Sequence, residues 1–191
     1  MPHLYIISGC NGAGKTTASF TILPEMLNCE EFINADEIAR GLSPLNPGNA
    51  AIEAGRLMLT KIKKLIQNKK DFAFETTLAT KSYANTILEA QQNGYIVTLI
   101  FFWLDTIDLA VERIKIRVYE GGHHVPSNVV TRRYFAGIAN LFNIYIPICN
   151  YWMIFDNSSI PASLIAEGHF TKDIYIKNNS IFNQLKKDGS I

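Results

Sequence analysis

Charged residues are scarce in this chain and nearly balanced in sign. The 191-residue sequence holds 18 lysines and arginines against 17 aspartates and glutamates, a formal net charge of +1. A field this weak excludes broad electrostatic capture of nucleic acid or of an acidic membrane surface. Neither nucleic acid nor a membrane is therefore an expected partner, although a local basic patch can still bind phosphate.

Cysteines and long apolar runs are also few. Cys10, Cys29 and Cys149 are odd in number, far apart and without metal-ligand spacing, which favours free thiols in a reducing compartment. The longest apolar run, Tyr95 to Leu104, is about half of the ~20 residues that a membrane-spanning helix needs. The first residues, MPHLYIISG, lack a basic segment and are expected to form a strand rather than a signal peptide. A cytoplasmic protein is expected.

The sequence does contain short apolar runs that alternate with longer segments of helical period. This pattern is typical of a parallel sheet covered by helices. Without an internal repeat, a low-complexity tract or a linker, residues 1–191 are expected to form one domain. The predicted fold class is α/β, with three layers and a mostly parallel five-stranded sheet. The strand candidates are Leu4–Ser8, Glu31–Asn34, Phe72–Glu75, Ile96–Leu104 and Trp152–Phe155.

Two segments between these strands have the spacing of amphipathic helices, Ala50–Gln67 and Ile107–Tyr119. The apolar stripe of the first segment is formed by Ile52, Leu57, Leu59, Ile62 and Ile66. Another helix is predicted from about residue 128 to residue 145. Residues 163–187 are predicted to form a hairpin, with Gly168 at its turn, followed by a short helix.

Residues 9 to 16, GCNGAGKT, match the phosphate-binding pattern G-x-x-x-x-G-K-[ST] in full. Glycines let the backbone fold tightly, so that successive N–H groups point at phosphate oxygens. Lys15 supplies charge to the outer phosphates, and the Thr16 hydroxyl can ligate Mg²⁺. The motif follows an apolar run and precedes a predicted helix whose positive end faces the same phosphates. The residues expected to bind a nucleotide are Gly9, Asn11, Gly12, Ala13, Gly14, Lys15, Thr16 and Thr17.

Four of the other apolar runs end in an acid, namely Asp36, Glu75, Asp105 and Asp156. In an open parallel sheet the ligand lies beyond the carboxyl ends of the strands, where the P-loop lies as well. These acids are therefore candidates for Mg²⁺ coordination and for a catalytic base. The alternative is that they serve as turn or N-cap residues. Asp36 and Glu75 are favoured because polar residues stand beside them, Asn34 in one case and Thr76 and Thr77 in the other.

Arginines flank a segment, GGHHVP, that cannot be helical. Arg113 and Arg117 share one face of the preceding helix, and Arg132 and Arg133 begin the next one. This arrangement predicts a lid over about residues 117–133, which would close on a triphosphate and neutralise the transferring phosphoryl group. The alternative is a solvated helix face with ordinary ion pairs.

The assembled motifs resemble the zeta-toxin family of P-loop kinases, in its short single-domain form. The resemblance rests on GCNGAGKT, FINADEIARGLSP, FAFETTLA, and RVYEGGHHVPSNVVTRRY followed by NLF and FDNS, over about residues 1–166. Toxin members of the family phosphorylate a UDP-activated amino sugar with ATP. The resemblance implies a P-loop NTPase fold of the kinase type with a lid. It also implies ATP and Mg²⁺ as cofactors, and an antitoxin protein as a candidate partner.

The resemblance also implies roles for individual residues. Asp36 would be the base that acts on the acceptor hydroxyl, and the other catalytic residues would be Lys15, Arg117 and Arg133. Thr16 and Glu75 would be the metal ligands. The residues expected to contact the acceptor are Asp36, Arg40, Glu75, Thr76 and Thr77.

Three hypotheses about function are compatible with these residues. The first is an ATP-dependent kinase that transfers the γ-phosphoryl group to a hydroxyl of a UDP-sugar such as UDP-N-acetylglucosamine. The second keeps the kinase but changes the acceptor to a nucleoside, a sugar acid or another metabolite. It is motivated by Ala79 and Lys81, which stand where longer toxins have an arginine, and by Arg40, one residue further from Asp36 than in those toxins. The third is a nucleotide-dependent switch or partner-binding module without phosphotransfer.

Overall fold

The described strands of the chain lie in one sheet, in the order β2-β3-β1-β4-β5-β6-β7. The computed structural model describes residues 1–122 and 124–189. The strands are β1 His3–Ser8, β2 Phe32–Ile33, β3 Phe72–Thr76, β4 Ile96–Trp103, β5 Tyr151–Asp156, β6 Ser163–His169 and β7 Lys172–Ile176. The helices are α1 Lys15–Thr21, α2 Ala35–Leu42, α3 Ala51–Gln67, α4 Tyr83–Gln92, α5 Ile107–Tyr119, α6 Ser127–Asn140, α7 Ile146–Ile148 and α8 Asn179–Asp188.

Strands β1 to β5 are parallel, which confirms the predicted α/β class and the mostly parallel sheet. The side chains of β1 are buried on both faces, and for this reason its apolar run is continuous rather than alternating. Parallel pairing brings the carboxyl ends of these strands to one edge, with Ser8 opposite Thr76 and Ile33 opposite Phe74. The P-loop and the acids that follow the strands therefore meet at this edge.

The sheet has seven strands because the C-terminal hairpin joins it, so the prediction of five strands is wrong. Strand β6 pairs with β5 in the antiparallel direction, and β7 pairs with β6. Gly168 lies inside β6 rather than at the turn, which falls at Phe170 and Thr171. A Cβ atom on Gly168 would lie 2.6 Å from the Trp152 ring, so close packing rather than chain reversal accounts for this glycine.

Helix α3 has nearly the predicted bounds but a different buried face. Its buried residues are Ala54, Met58, Ile62, Leu65 and Ile66. Ile52 is 75% exposed, and Leu57 and Leu59 are exposed as well, so the predicted stripe is wrong at these three positions. The buried face of α3 differs from the predicted one because Ala54 packs against Ala39 of α2. A small side chain at this contact allows the two helices to approach closely.

Helix α6 ends five residues earlier than predicted, and a wider helical turn at Leu141–Tyr145 connects it to α7. Pro147 stands at the start of α7, where a missing N–H costs nothing. Among the described residues, every helix is too short or too polar to cross a membrane. The main apolar core draws residues from β1 through α8, while the prediction of one domain over 1–191 stays a prediction.

Candidate active site

The P-loop connects β1 to α1 and fits closely between β4 and α5. Its glycines at 9, 12 and 14 all have positive φ, between 79° and 138°. A Cβ atom on Gly9 would overlap the carbonyl oxygen of Phe102, and one on Gly12 would lie 2.6 Å from that of Ala110. Only glycine combines this backbone conformation with these approaches. The loop is therefore held in its turn by the strand and the helix on either side of it.

Lys15 is the first residue of α1, and its side chain reaches back across the loop. Its Nζ donates to the Cys10 carbonyl oxygen at 2.9 Å and lies 3.5 Å from Glu75 Oε1. The two side chains are only 6% and 11% exposed. A buried ammonium and a buried carboxylate stabilise each other when each would be costly alone. Lys15, predicted to bind the nucleotide, and Glu75, predicted to bind the metal, thus meet at the centre of the loop.

Thr16 and Glu75 are close neighbours across the edge of the sheet. The Thr16 hydroxyl donates to Glu75 Oε2 at 2.6 Å, and Asn34 Nδ2 donates to the same oxygen at 2.9 Å. Mg²⁺ in nucleotide enzymes usually takes one or two protein oxygens and fills its other positions with phosphate oxygens and water. In the part of the chain that the structure describes, no three His, Cys, Asp or Glu side chains cluster in a way that could hold a metal alone. A hydroxyl and a carboxylate beside a phosphate loop fit Mg²⁺ bound in this shared manner.

Asp36 stands in the first turn of α2, on the other side of Asn34 from Glu75. Its side chain is exposed. The N-cap of α2 is Asn34, whose Oδ1 accepts from the backbone N–H of Asp36 and of Glu37. The capping alternative for Asp36 therefore fails, because that position is already filled. The carboxylate is therefore exposed and does not cap the helix.

Arg133, in α6, faces the P-loop from the opposite side. Its Nη1 donates to Asn11 Oδ1 at 3.0 Å, which ties the helix to the loop. Burial lowers the pKa of the Arg133 guanidinium, while the negative charge of Asp36 raises it. Tyr134 anchors the same turn of α6, since its hydroxyl donates to the Leu104 carbonyl and accepts from Trp103 Nε1. The charges of Asp36 and Arg133 are therefore close enough to interact.

The other residues that are predicted to contact the acceptor have different surroundings in the structure. Arg40 is exposed and pairs with Glu37 on the surface of α2 at 3.4 Å. Thr76 is buried, and its hydroxyl accepts from the Leu78 N–H, so it shapes the turn after β3. Thr77 is half-buried at that turn. Contact of these three residues with an acceptor stays a prediction.

Only some residues of the predicted lid lie near the P-loop. Arg117 is half-buried in the last turn of α5, two helical turns beyond the Ala110 contact with the loop, or about 10 Å along the axis. Arg132 is exposed. His123 lies outside the described residues, so the lid at 117–133 is described except at that position. The catalytic role of Arg117 stays a prediction.

The remaining strand-end acids and Arg113 take part in turn structure. Asp156 Oδ1 accepts from the Ser158 backbone N–H at 2.9 Å, which makes it a turn residue. The backbone N–H of Asp105 donates to the Ser158 hydroxyl, and Arg113 Nη2 donates to the Ser158 carbonyl. These contacts organise the chain after β5 rather than the cleft.

Two residues that sequence reasoning left out of the site lie in contact with it. Asn34 bridges Glu75 and α2, and its signal was its position at the end of a strand, directly before a helix. Asn157 donates through Nδ2 to the Ala13 carbonyl at 2.8 Å, and a Cβ atom on Gly14 would meet it at 2.5 Å. Its signals in the sequence were its position after the strand-end acid Asp156 and its place in the FDNS motif. The two asparagines follow β2 and β5, so they reach the P-loop region from opposite sides of β1.

This fold and this loop define a P-loop nucleotide-binding protein of the kinase type. The family model of Zeta toxin matches residues 1–144 of the chain. The chain belongs to the Zeta toxin family. The predicted family is therefore confirmed, and the predicted class, an ATP-dependent phosphotransferase with Mg²⁺, agrees with it.

Similar proteins extend this assignment. A protein of Haemophilus influenzae is 33% identical over 127 residues, which are 66% of this chain and 88% of that protein. The crystal structure of AvrRxo1-ORF1 with AvrRxo1-ORF2 and ATP has a TM-score of 0.76 at 15% identity, over 97% of this chain and 63% of that one. A chain from the structure of the PezAT toxin–antitoxin system of Streptococcus pneumoniae has a TM-score of 0.66 at 15% identity, over 100% of this chain and 85% of that one. The chain thus spans less than two thirds of the AvrRxo1-ORF1 structure, and at these identities both structures show the fold alone.

Proposed function

We propose that this protein is an ATP-dependent kinase that transfers the γ-phosphoryl group to a hydroxyl of a small acceptor. The leading candidate for the acceptor is a UDP-sugar such as UDP-N-acetylglucosamine. The observation that carries the proposal is the contact of Thr16 and Lys15 with Glu75, beside a P-loop that Asp36 and Arg133 flank. A phosphate-binding group, a metal-binding pair, an exposed carboxylate and a guanidinium are the parts that phosphoryl transfer requires.

The two sides of the loop have different roles in the proposed reaction. Thr16 and Glu75 would hold Mg²⁺, which when bound neutralises charge on the β- and γ-phosphates. Lys15 binds the outer phosphates, and Asp36 accepts the proton of the acceptor hydroxyl as its oxygen attacks the γ-phosphorus. Arg133 contributes positive charge to the transferring group. Positioning and charge neutralisation account for most of the rate in this chemistry.

The exposed Asp36 favours a kinase over a nucleotide-dependent switch. A switch needs groups that sense the γ-phosphate, but it does not need an additional exposed carboxylate that takes no part in helix capping. Asn34 caps α2, so Asp36 is not needed as the cap, although its charge in the first turn favours the helix dipole. An exposed carboxylate whose charge interacts with Arg133 supports an acceptor site.

Replacement of this carboxylate tests the proposal. Asp36→Asn keeps the size of the side chain and is expected to lower kcat at least about a hundredfold, because it removes the general base. ATP binding, measured by calorimetry, is expected to stay nearly unchanged. Glu37→Gln is the matched control, since Glu37 is the next residue of α2 and pairs with Arg40 on the surface. Full turnover by Asp36→Asn would contradict the role of Asp36 as the general base.

A panel of acceptors identifies the substrate class. ADP release from ATP is measured with UDP-N-acetylglucosamine, nucleosides, sugar acids and buffer alone. Stimulation by the UDP-sugar supports the leading candidate, and stimulation by another member transfers the proposal to that class. ATP binding without stimulation by any member favours the nucleotide-dependent switch.

An antitoxin partner belongs to the same proposal. Its support is the family itself and the fold shared with a chain of a toxin–antitoxin system. If the kinase is a toxin, its induced expression will arrest growth, and Lys15→Ala will restore it. Normal growth during expression of the active protein would contradict the toxin role and favour a metabolic kinase.

A further inference from the structure

The side chain of Asn34 contacts both sides of the proposed site. Asn34 follows β2 directly, precedes α2, and is 7% exposed. Its Oδ1 accepts from the backbone N–H of Asp36 at 2.8 Å and of Glu37 at 3.4 Å. Its Nδ2 donates to Glu75 Oε2 at 2.9 Å and to Thr16 Oγ1 at 3.4 Å. One amide thus links the helix that carries the base to the pair that would hold the metal.

We propose that Asn34 is a positioning residue that sets the place of Asp36 relative to Glu75 and Thr16. This inference rests on the proposed function, since it concerns the same site. Helix capping alone does not require asparagine, because serine, threonine and aspartate cap nearly as well. A side-chain amide offers an acceptor oxygen to α2 and a donor nitrogen to a carboxylate on two separate atoms, whereas a hydroxyl must serve both through one atom. Aspartate would place a second negative charge against Glu75, and serine is too short to reach it.

The contacts of Glu75 show why this link matters for the metal. Its Oε2 accepts from Thr16 and Asn34, and its Oε1 faces Lys15 at 3.5 Å. Donors on both oxygens fix the plane of the carboxylate. Hydrogen bonds to a charged group are stronger than neutral ones, so each of these donors restrains the carboxylate considerably. Loss of the Asn34 donor would leave Oε2 held only by Thr16.

A second asparagine in the chain provides a matched control. Asn178 caps α8, where its side chain accepts from the Ile181 backbone N–H at 3.1 Å. It is exposed, and its helix packs on β6 and α6, away from the P-loop. Asn34 and Asn178 therefore share the capping role, and only Asn34 has the additional donor role.

The experiment compares Asn34→Ser, Asn34→Ala and Asn178→Ala in the full chain. For each variant, ATP binding is titrated at several Mg²⁺ concentrations, and kcat is measured with the acceptor that the panel identifies. Asn34→Ser keeps a capping hydroxyl and is expected to keep the fold. Its half-saturating Mg²⁺ concentration is expected to rise about tenfold or more, as the loss of one hydrogen bond to a charged group implies. Asn34→Ala, which also loses the cap on the helix that carries Asp36, is expected to lose further kcat.

The outcomes separate positioning from capping. If Asn34→Ser matches Asn178→Ala in Mg²⁺ dependence and in kcat, Asn34 is a helix cap only and the inference is overturned. Thermal melting confirms that the variants fold, and Asn34→Thr is the second capping variant if the serine protein does not. Asp36→Asn in the same assay tests the proposed function independently: turnover lost there, with Asn34→Ser unaffected, removes this inference and leaves the kinase assignment intact.

Discussion

The two sides of the P-loop differ in how firmly their side chains are held. On the inner side, which comprises Lys15, Thr16, Asn34 and Glu75, the groups are mostly buried and hydrogen-bonded to one another. On the outer side, which comprises Asp36, Arg117, Arg132 and Arg133, they are exposed or half-buried. The inner side is thus held by contacts among its own side chains. The more exposed outer side is where we propose that the acceptor binds and the lid closes, since a phosphotransferase must exclude water.

The largest loss of kcat is expected from a substitution on the inner side of the P-loop. Lys15→Met is expected to lower kcat at least about a thousandfold, because it removes a preorganised charge from the transferring phosphates. It also leaves Glu75 buried beside an apolar side chain, so the protein is expected to lose about 3–5 kcal/mol of stability. Activity is measured at saturating ATP, and stability by urea unfolding.

The control for Lys15→Met is an exposed pair of the same kind. Lys61 Nζ lies 2.9 Å from Glu31 Oε2, and both side chains are 48% exposed. Lys61→Met is expected to change stability by about 1 kcal/mol or less, because water and salt screen the pair. Equal losses of stability in Lys15→Met and Lys61→Met would show that burial does not make the Lys15–Glu75 pair more stabilising than an exposed pair.

A smaller effect is expected on the outer side. Arg133→Ala is expected to lower kcat about a hundredfold, because its guanidinium is one of several positive groups around the transferring phosphoryl. Arg132→Ala, at the exposed neighbouring position, is expected to change kcat less than about twofold. Initial rates at saturating ATP distinguish them. A larger loss in Arg132→Ala would mean that α6 turns on ligand binding, and that the two arginines exchange roles.

The smallest loss of kcat is expected from a substitution in α6, the helix that connects the inner and outer sides of the P-loop. A Cβ atom on Gly137 would lie 2.6 Å from the Thr77 carbonyl oxygen, and Asn140 donates to the Leu78 carbonyl at 2.7 Å. Gly137→Ala is therefore expected to displace the turn after Glu75, with a loss of about 1–3 kcal/mol and of about tenfold in kcat. The measurements are urea unfolding and initial rates.

Gly55→Ala is the matched control for Gly137→Ala. Gly55 lies inside α3, where an added Cβ meets no atom within 4 Å in the described structure. Alanine there is expected to stabilise the protein by about 0.5–1 kcal/mol, with kcat unchanged. A similar gain in Gly137→Ala would show that the close approach to Thr77 does not restrain the turn.

Local pattern predicts the inner side better than the outer side. The P-loop and Glu75 could be placed because a motif and a parallel sheet fix where strand ends meet. Asn34 and Asn157 were missed as site residues, because their roles depend on contacts between segments 41 and 144 residues apart in sequence. The positions of Arg117 and Arg40 depend on how far each helix extends past the loop. Helical period alone does not determine that distance.

Tertiary packing also overrode local pattern in the fold. The stripe predicted for α3 followed the largest apolar residues, but Ala54 faces α2 and turns Ile52 towards solvent. Gly168 was assigned to a turn because glycine is common there, whereas its close approach to Trp152 requires it inside a strand. In both cases a small side chain marks a contact that sequence periodicity does not reveal.

The shortness of β2 has a consequence for association between molecules. This strand, Phe32–Ile33, forms the edge of the sheet beside the proposed acceptor cleft. A long edge strand presents unpaired N–H and C=O groups on which another chain can add a strand, and short edge strands limit this pairing. An edge of two residues can thus remain uncovered next to a cleft that must stay open. At this edge of the sheet, the proposed acceptor entrance can stay accessible without a template for strand addition beside it.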